Sequence, residues 1–298
     1  MLLIVIKDQM QITDQKSGSL DGIGYTTCNV HRQVVGKPYK AEPDQVALEV
    51  PIALEYNGIS HATVLATPHN LEDFAVGFSF TEGVVRGAAD IYDIETTVLE
   101  NDVVVSLSIA SSQLHQLKLR RRSHAGRTGC GLCGLESLDS VQRDLAPLSV
   151  GQPFISGQAI SAAMYNLREN QPLHMQTGAT HAAGWSNKHG EIQFVREDVG
   201  RHNALDKLIG HIVQNDINTA EGFVVLSSRA SFELVQKSAA AGICAVIAVS
   251  APTSYAISMA ESLNVMLAGF ARGNGFTVYT HPQQLVSDTE TITSDNIL

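Results

Sequence analysis

Between Gly222 and Phe270 short apolar runs alternate with amphipathic stretches, and no other feature of the sequence limits the possible folds so tightly. Residues 222–226 predict a strand, 231–241 a helix stopped by Gly242, 243–249 a second strand, 253–263 a second helix and 265–270 a third strand. Strands separated by helices pair in parallel through right-handed crossovers. In such sheets a ligand sits beyond the carboxyl ends of the strands. Those ends read Ser227-Ser-Arg229, Ser250-Ala-Pro-Thr-Ser254 and Gly269-Phe-Ala-Arg-Gly-Asn-Gly275. The first two run into helix N-termini, where free N–H groups and the positive end of the dipole favour phosphate. Serine and threonine also cap ordinary helices, but three neighbouring ends of the same chemistry predict a crevice for a phosphorylated or nucleotide-bearing ligand. No Gly-x-x-x-x-Gly-Lys-Ser/Thr or Gly-x-Gly-x-x-Gly follows a strand, which argues against a P-loop enzyme and a standard dinucleotide dehydrogenase. Cys244, inside an apolar run, reads as a small core residue.

A second stretch carries the chemistry. Gly126-Arg-Thr-Gly-Cys-Gly-Leu-Cys-Gly134 sets Cys130 and Cys133 among four glycines, directly behind Lys118, Arg120, Arg121 and Arg122 and beside Arg127. The glycines disfavour helix and strand and predict a mobile loop. Neighbouring cations lower a thiol pKa and raise the thiolate fraction. Three uses of the pair stand level on the residues alone. A zinc site needs two more ligands, and Cys28 and Cys244 are isolated. A thioredoxin-like redox site needs a strand-to-helix setting that glycine on both sides does not supply. A sulfur carrier needs a reactive, exposed, mobile thiolate. The plain alternatives are an inert surface pair and a solvated basic run.

Elsewhere the sequence is less specific. Residues 7–45 are polar and broken by glycine and proline, predicting a loosely ordered arm with one strand near 26–34. Residues 46–56 and 59–67 flank Asn57-Gly58, a strong hairpin signal. Asn70 is a candidate N-cap for a helix that Glu82-Gly83 ends, and residues 94–99 and 102–109 pair around Glu100-Asn101. Residues 140–153 form a connection, and Ser156 opens a helix to about Glu169. Residues 177–185, small and ending in the sole tryptophan, read as a tight strand-to-helix turn or a pocket wall. In Arg196-Glu-Asp-Val-Gly-Arg-His-Asn-Ala-Leu-Asp-Lys207 the pattern predicts a loop and then a helix capped by Asp198, with Leu205, Leu208, Ile209, Ile212 and Val213 as its buried stripe. His202 with Asp206, and Asn203 with Lys207, are spaced to pair on its outer face.

Composition bounds the class. The chain has 298 residues, 44% apolar, with four cysteines and a formal charge of −10. It reads as an ordinary globular protein of a reducing compartment rather than a disulfide scaffold. The apolar run at 2–6 is too short for a signal peptide or membrane span, and the negative balance disfavours nucleic acid as a partner.

Taken together, the Cys130 stretch, Thr180-His-Ala-Ala, Glu197-Asp-Val-Gly-Arg-His-Asn-Ala-Leu-Asp-Lys207, Ser228-Arg-Ala-Ser-Phe-Glu-Leu-Val-Gln-Lys237, Ser250-Ala-Pro-Thr and Tyr279-Thr-His-Pro282 resemble the formate dehydrogenase accessory sulfurtransferase family, over about residues 46–285. The resemblance implies an α/β protein: a cytidine-deaminase-like three-layer C-terminal core on a mixed sheet, with a smaller N-terminal α+β subdomain. The corresponding division is a variable arm at 1–25, the α+β subdomain at 26–148, the cofactor-binding domain at 149–286 and a tail at 287–298. It implies a cytoplasmic homodimer that takes sulfur from a cysteine desulfurase and delivers it to the molybdenum bis(molybdopterin guanine dinucleotide) cofactor of formate dehydrogenase; the alternative is a non-catalytic chaperone that binds that cofactor for insertion, with the cysteines only docking. That cofactor is bound as substrate; no resident metal, nucleic acid or membrane is implied. In the family the residue matching Cys130 carries the persulfide and Cys133 assists, while Phe270, Ala271, Arg272, Gly273, Asn274 and Gly275 match the cofactor-binding stretch. Zinc-dependent deamination fits poorly, because His181-Ala-Ala183 lacks the glutamate, the cysteine pair lacks its proline and the order is reversed.

Overall fold

The structure is a computed structural model, and it describes residues 24–122, 143–149 and 154–286. Its larger sheet has the strand order β12-β11-β10-β9-β7-β8. The three central strands are β9 (Gly222–Leu226), β10 (Ala245–Ala248) and β11 (Met266–Arg272), and they pair in parallel. Antiparallel strands β7 (His181–Asn187), β8 (Ile192–Asp198) and β12 (Gly275–Thr280) complete it. Along β9 successive side chains serve opposite cores: Phe223 and Val225 face α3 (Gly157–Glu169), whereas Val224 and Leu226 face α5 (Arg201–Gln214), α6 (Phe232–Ala240) and α7 (Ser254–Ser262). Burial on both faces explains why the parallel strands read as unbroken apolar runs. The result is three layers, with α3 on one face and α5, α6 and α7 on the other.

A smaller sheet, ordered β4-β3-β6-β5, lies under α1 (Leu71–Thr81). Strands β3 (Val50–Tyr56) and β4 (Ile59–Ala66) form the Asn57-Gly58 hairpin, with Asn57 and Gly58 both at positive φ, as a tight turn of this kind needs. Strands β5 (Ile91–Val98) and β6 (Val103–Ile109) pair antiparallel, and β6 runs parallel to β3. Helix α1 joins this unit to the larger one by lying against α5 with almost no side chain between them. A Cβ on Gly77 would stand 1.7 Å from the Asp206 carbonyl oxygen, and one on Gly210 would stand 1.8 Å from that of Asp73. Only glycine fits where two helix backbones touch.

Several expectations are corrected. The strand expected near 26–34 is β1 (Tyr25–Arg32), but it does not stand alone in a loose arm: it pairs antiparallel with β2 (Lys40–Ala47) to form a ribbon. Leu48 and Glu49 interrupt the strand expected over 46–56. Asn70 holds the N-cap position of α1 at φ 52° but makes no side-chain cap. The basic residues 118–122 lie in helix α2 (Ser111–Arg122), which the sequence did not announce. Residues 177–185 are not a strand-to-helix turn: helix α4 (Pro172–Thr177) ends at Gly178, φ 67°, and β7 follows, while the other reading, a pocket wall, holds for residues 178–181. Ser156 does cap α3, accepting from the Ala159 amide at 3.1 Å, and Thr253 caps α7 in the same way. Among the described residues no helix is long and apolar enough to cross a membrane.

The glycine contact yields a prediction. Gly77→Ala should lose about 3 kcal/mol or more of stability, because neither backbone can withdraw without breaking its helix. Gly87→Ala, where a Cβ meets nothing within 4 Å, should stay within about 0.5 kcal/mol in the same urea titration.

Candidate functional site

The carboxyl edge of the larger sheet opens into a cavity of about 1300 Å3, walled on one side by α3 and α4 and on the other by the strand ends. Ser227 at the end of β9, Val249 at the end of β10, and Ala271, Arg272, Gly273 and Asn274 at the β11–β12 turn all border it. Local geometry makes this rim. Gly269 passes so close to Pro252 and the Ser250 carbonyl that a Cβ would stand 2.8 Å and 2.9 Å from them. Phe270 then takes φ 54°, with its ring half exposed, and Gly273 turns the chain at φ 56°. Arg272 Nε donates to the Val249 carbonyl at 3.1 Å, which fixes the guanidinium against the cavity. Of the six residues singled out from 270 to 275, the middle four line the cavity; Phe270 and Gly275 flank it.

The wall opposite is set by Glu197. Its carboxylate accepts from the amides of Leu173 at 2.9 Å and His174 at 2.8 Å, and from Thr180 Oγ1 at 3.0 Å. One buried acid thus pins the start of α4 to the start of β7. His174 Nδ1 donates to the Thr180 carbonyl at 2.9 Å. His181, next along, lines the cavity. Burial, reinforced by the nearby positive charge of Arg201, pushes its pKa below the ordinary imidazole value. The cavity therefore offers a neutral imidazole, a serine hydroxyl and an arginine at its strand end.

The dense polar segment at 196–207 is not a solvated face. Residues 196–198 continue β8, so α5 starts only at Arg201, and Gly200 takes the capping position expected for Asp198. Asp198 instead is fully buried, 2.7 Å from Lys207 Nζ, which is also fully buried. Its two oxygens accept further bonds from Thr67 N and Oγ1, Gly200 N and Asn203 Nδ2. Burial pushes the Lys207 pKa down, and Asp198 opposes that shift. Asp206 pairs not with His202 but with Lys237 at 3.0 Å, and accepts from Thr81 Oγ1 at 2.7 Å. Burial alone would lower the Lys237 pKa, but Asp206 and Glu82 carry it above its usual value. His202 turns to Glu233, 2.5 Å away. The expected pairs along α5 fail because each partner lies on another element.

Cys130, Cys133 and Arg127 lie outside the described residues. The chain returns from that segment at Arg143, whose amide donates to Gln236 Oε1 at 2.8 Å and whose guanidinium donates to the Phe80 carbonyl at 3.1 Å. Cys28 and Cys244 are free thiols, and burial pushes the Cys244 thiol up, which keeps it unreactive. Among the described residues no three His, Cys, Asp or Glu side chains converge in a way that could hold a metal ion.

Three layers around a mixed sheet define an α/β protein, with a large cavity at the carboxyl edge of its parallel strands, where sheets of this kind hold ligands. The chain belongs to the FdhD/NarQ family, whose sequence model matches residues 47–286. It is 52% identical over 246 residues to the sulfur carrier protein FdhD of Bordetella bronchiseptica, covering 83% of this chain and 89% of that one. Against the protein of the same name from Cupriavidus necator it is 53% identical over 243 residues, covering 82% and 84%. Its fold matches the crystal structure of a putative formate dehydrogenase accessory protein from Desulfotalea psychrophila, with a TM-score of 0.67 and 22% identity over 88% of this chain and 99% of that one.

His69 generates a pH prediction. Its Nδ1 is buried without a hydrogen-bond partner among the described residues, and burial, then the Lys207 charge, push its pKa from 6.5 to about 4. The unfolded chain therefore binds a proton that the folded chain refuses between those values. Stability from this group is complete above pH 6.5 and is lost as pH falls toward 4. Melting temperature should fall over that window, and His69→Gln should flatten the fall by about 1–3 kcal/mol.

Proposed function

We propose that the protein is a sulfur carrier that takes sulfur from a cysteine desulfurase as a persulfide on Cys130. It passes that sulfur to a molybdenum bis(molybdopterin guanine dinucleotide) cofactor destined for formate dehydrogenase. The carrying observation is the large cavity at the carboxyl edge, bordered by Arg272, Gly273 and Asn274 and by Ser227 and His181. A phosphate there meets backbone turns, a guanidinium and a hydroxyl, which are the donors that an anionic cofactor requires. The names of the relatives at 52% and 53% identity support the carrier role. The sulfur step itself is thiol exchange. The Cys130 thiolate attacks the outer sulfur of the donor persulfide, the donor cysteine leaves as a thiolate, and Cys130 holds the transferred sulfur as Cys–S–SH. Cys133, three residues on, assists its release to the cofactor, which is cargo rather than a resident group.

Incubation with a desulfurase and cysteine should add about 32 Da to the peptide containing Cys130, removable by thiol reductant. Cys130→Ala should abolish the addition, whereas Cys133→Ala should retain it and slow delivery. Sulfur uptake by Cys130→Ala at the wild-type level, or a tightly held zinc ion with no sulfur on that peptide, would contradict the reading.

A further inference from the structure

Among the described residues, no strand pairs with the outer side of β5. It stands last in the order β4-β3-β6-β5, so one row of its N–H and C=O groups faces outward. Natural sheets blunt such an edge with lysine, proline or a covering element. The sequence of β5, Ile-Tyr-Asp-Ile-Glu-Thr-Thr-Val, contains neither residue. Its register on β6 shifts once, between Ile91 and Asp93, and runs regularly over residues 93–98. Tyr92, Val98 and Leu99 are 71%, 54% and 49% exposed. Beside the edge lies a hollow of about 280 Å3, bordered by Val76 of α1, Ile91 and Ile94 of β5 and Gln214 of α5. Ile91 and Ile94 pack on the small core. By alternation, Asp93, Glu95 and Thr97 turn to the face away from α1.

The charge of this edge is one-sided. Residues 87–110 hold five Asp or Glu and no Lys, Arg or His. Four of the five, Asp93, Glu95, Glu100 and Asp102, are exposed and have no ion pair among the described residues. A second copy presenting the same edge would set like charges opposite one another, which disfavours pairing of β5 with itself.

We propose that the β5 edge is a docking surface for an extended basic segment of a partner protein. The segment adds to the small sheet as a fifth strand, seats one apolar side chain in the hollow and turns Lys or Arg toward Asp93 and Glu95. The main-chain ladder supplies affinity, and the hollow and the carboxylates choose the segment. Since neighbouring side chains of a strand point to opposite faces, the matching pattern is basic, apolar, basic. The surface belongs to the small sheet and does not depend on the carrier reading of the cavity.

The test is fluorescence anisotropy of a labelled peptide in which lysine alternates with valine and a central leucine, titrated with the full-length protein. Wild type should bind it about 10-fold more tightly than the same peptide with glutamate for lysine, and should lose affinity as salt rises. Alanine in place of the central leucine should cost about 10-fold, because it leaves the hollow unfilled. Both comparisons need only the wild-type protein. The double variant Asp93→Lys, Glu95→Lys should weaken the lysine peptide by about 10-fold and reverse the preference. Glu191→Lys, between β7 and β8 of the other sheet, should change binding by less than about twofold. Hydrogen exchange should show the bound peptide slowing the amides of residues 91–98. Equal binding of the two peptides, a double variant that binds as wild type, or protection away from β5 would overturn the proposal. So would β5 amides already protected in the free protein: protection that grows with protein concentration would assign the edge to a second copy, and protection independent of concentration to another segment of this chain.

Discussion

Two oppositely charged neighbours on one buried helix hold the molecule together. Asp206 and Lys207 stand side by side on α5, are 2% and 0% exposed, and point to different parts of the protein. Lys207 reaches Asp198 at the end of β8 and the Thr67 carbonyl at the end of the small sheet. Asp206 reaches Lys237 on α6 and Thr81 at the end of α1. Burying these charges is costly, and such pairs add little net stability compared with apolar side chains of the same size. Their use is in specifying geometry. Each oxygen and ammonium proton finds its partner in only one placement of α1 on α5, and Gly77 and Gly210 let the helices come close enough to reach it. A slide of one turn would strand several charges away from water, at a cost of several kcal/mol each.

The same lock positions the cavity. Glu197, immediately before Asp198 on β8, fastens α4 and so sets the helical wall. Lys207 also donates to the Glu197 carbonyl at 3.3 Å, which ties the buried pair to that wall through one residue. On the far side of α5, the Asp206–Lys237 pair lies beside Thr81, whose carbonyl accepts from Arg143. The segment that carries the two cysteines therefore rejoins the described fold at the other end of this polar network. The polar motif at 196–207 works as architecture: it builds and braces the carboxyl edge, while the strand tips border the cavity.

What could be read in the sequence was local. Residues 222–226 could only be a buried strand, Ser156 could only begin a helix, and Asn57-Gly58 could only be a hairpin turn, because each signal lies within a few residues of its effect. The stretch at 269–275 was legible for the same reason, since small and hydroxyl residues recur at three strand ends. Partners distant in sequence were not legible. The i, i+4 spacing of His202 and Asp206 looks like a surface pair, and nothing near it reveals that Thr81 and Lys237 will arrive from 125 and 31 residues away. Asp198 resembled a cap because the continuation of β8 to that residue depends on pairing with His181. The ribbon at 25–47 was missed because its strands are polar and mostly exposed, without an apolar alternation to mark them. Helix α3 was legible from Ser156, but its place as a wall of the cavity was not, because that depends on the distant strand tips it lies beside. The cysteine pair, the strongest chemical signal in the chain, falls outside the described residues, so its reading still rests on the residues and the family.

The claim at the centre of this account is that the carboxyl-edge cavity, and no other surface, takes the nucleotide portion of the cofactor. Hydrogen–deuterium exchange of the full-length protein with and without saturating GDP tests it most directly. The account predicts slowed exchange confined to residues 161–181 on the helical wall and 269–275 at the strand tips, with the ribbon at 25–47 and the small sheet unchanged. Protection centred on the small sheet or the ribbon, with both walls of the cavity exchanging as in the free protein, would contradict it.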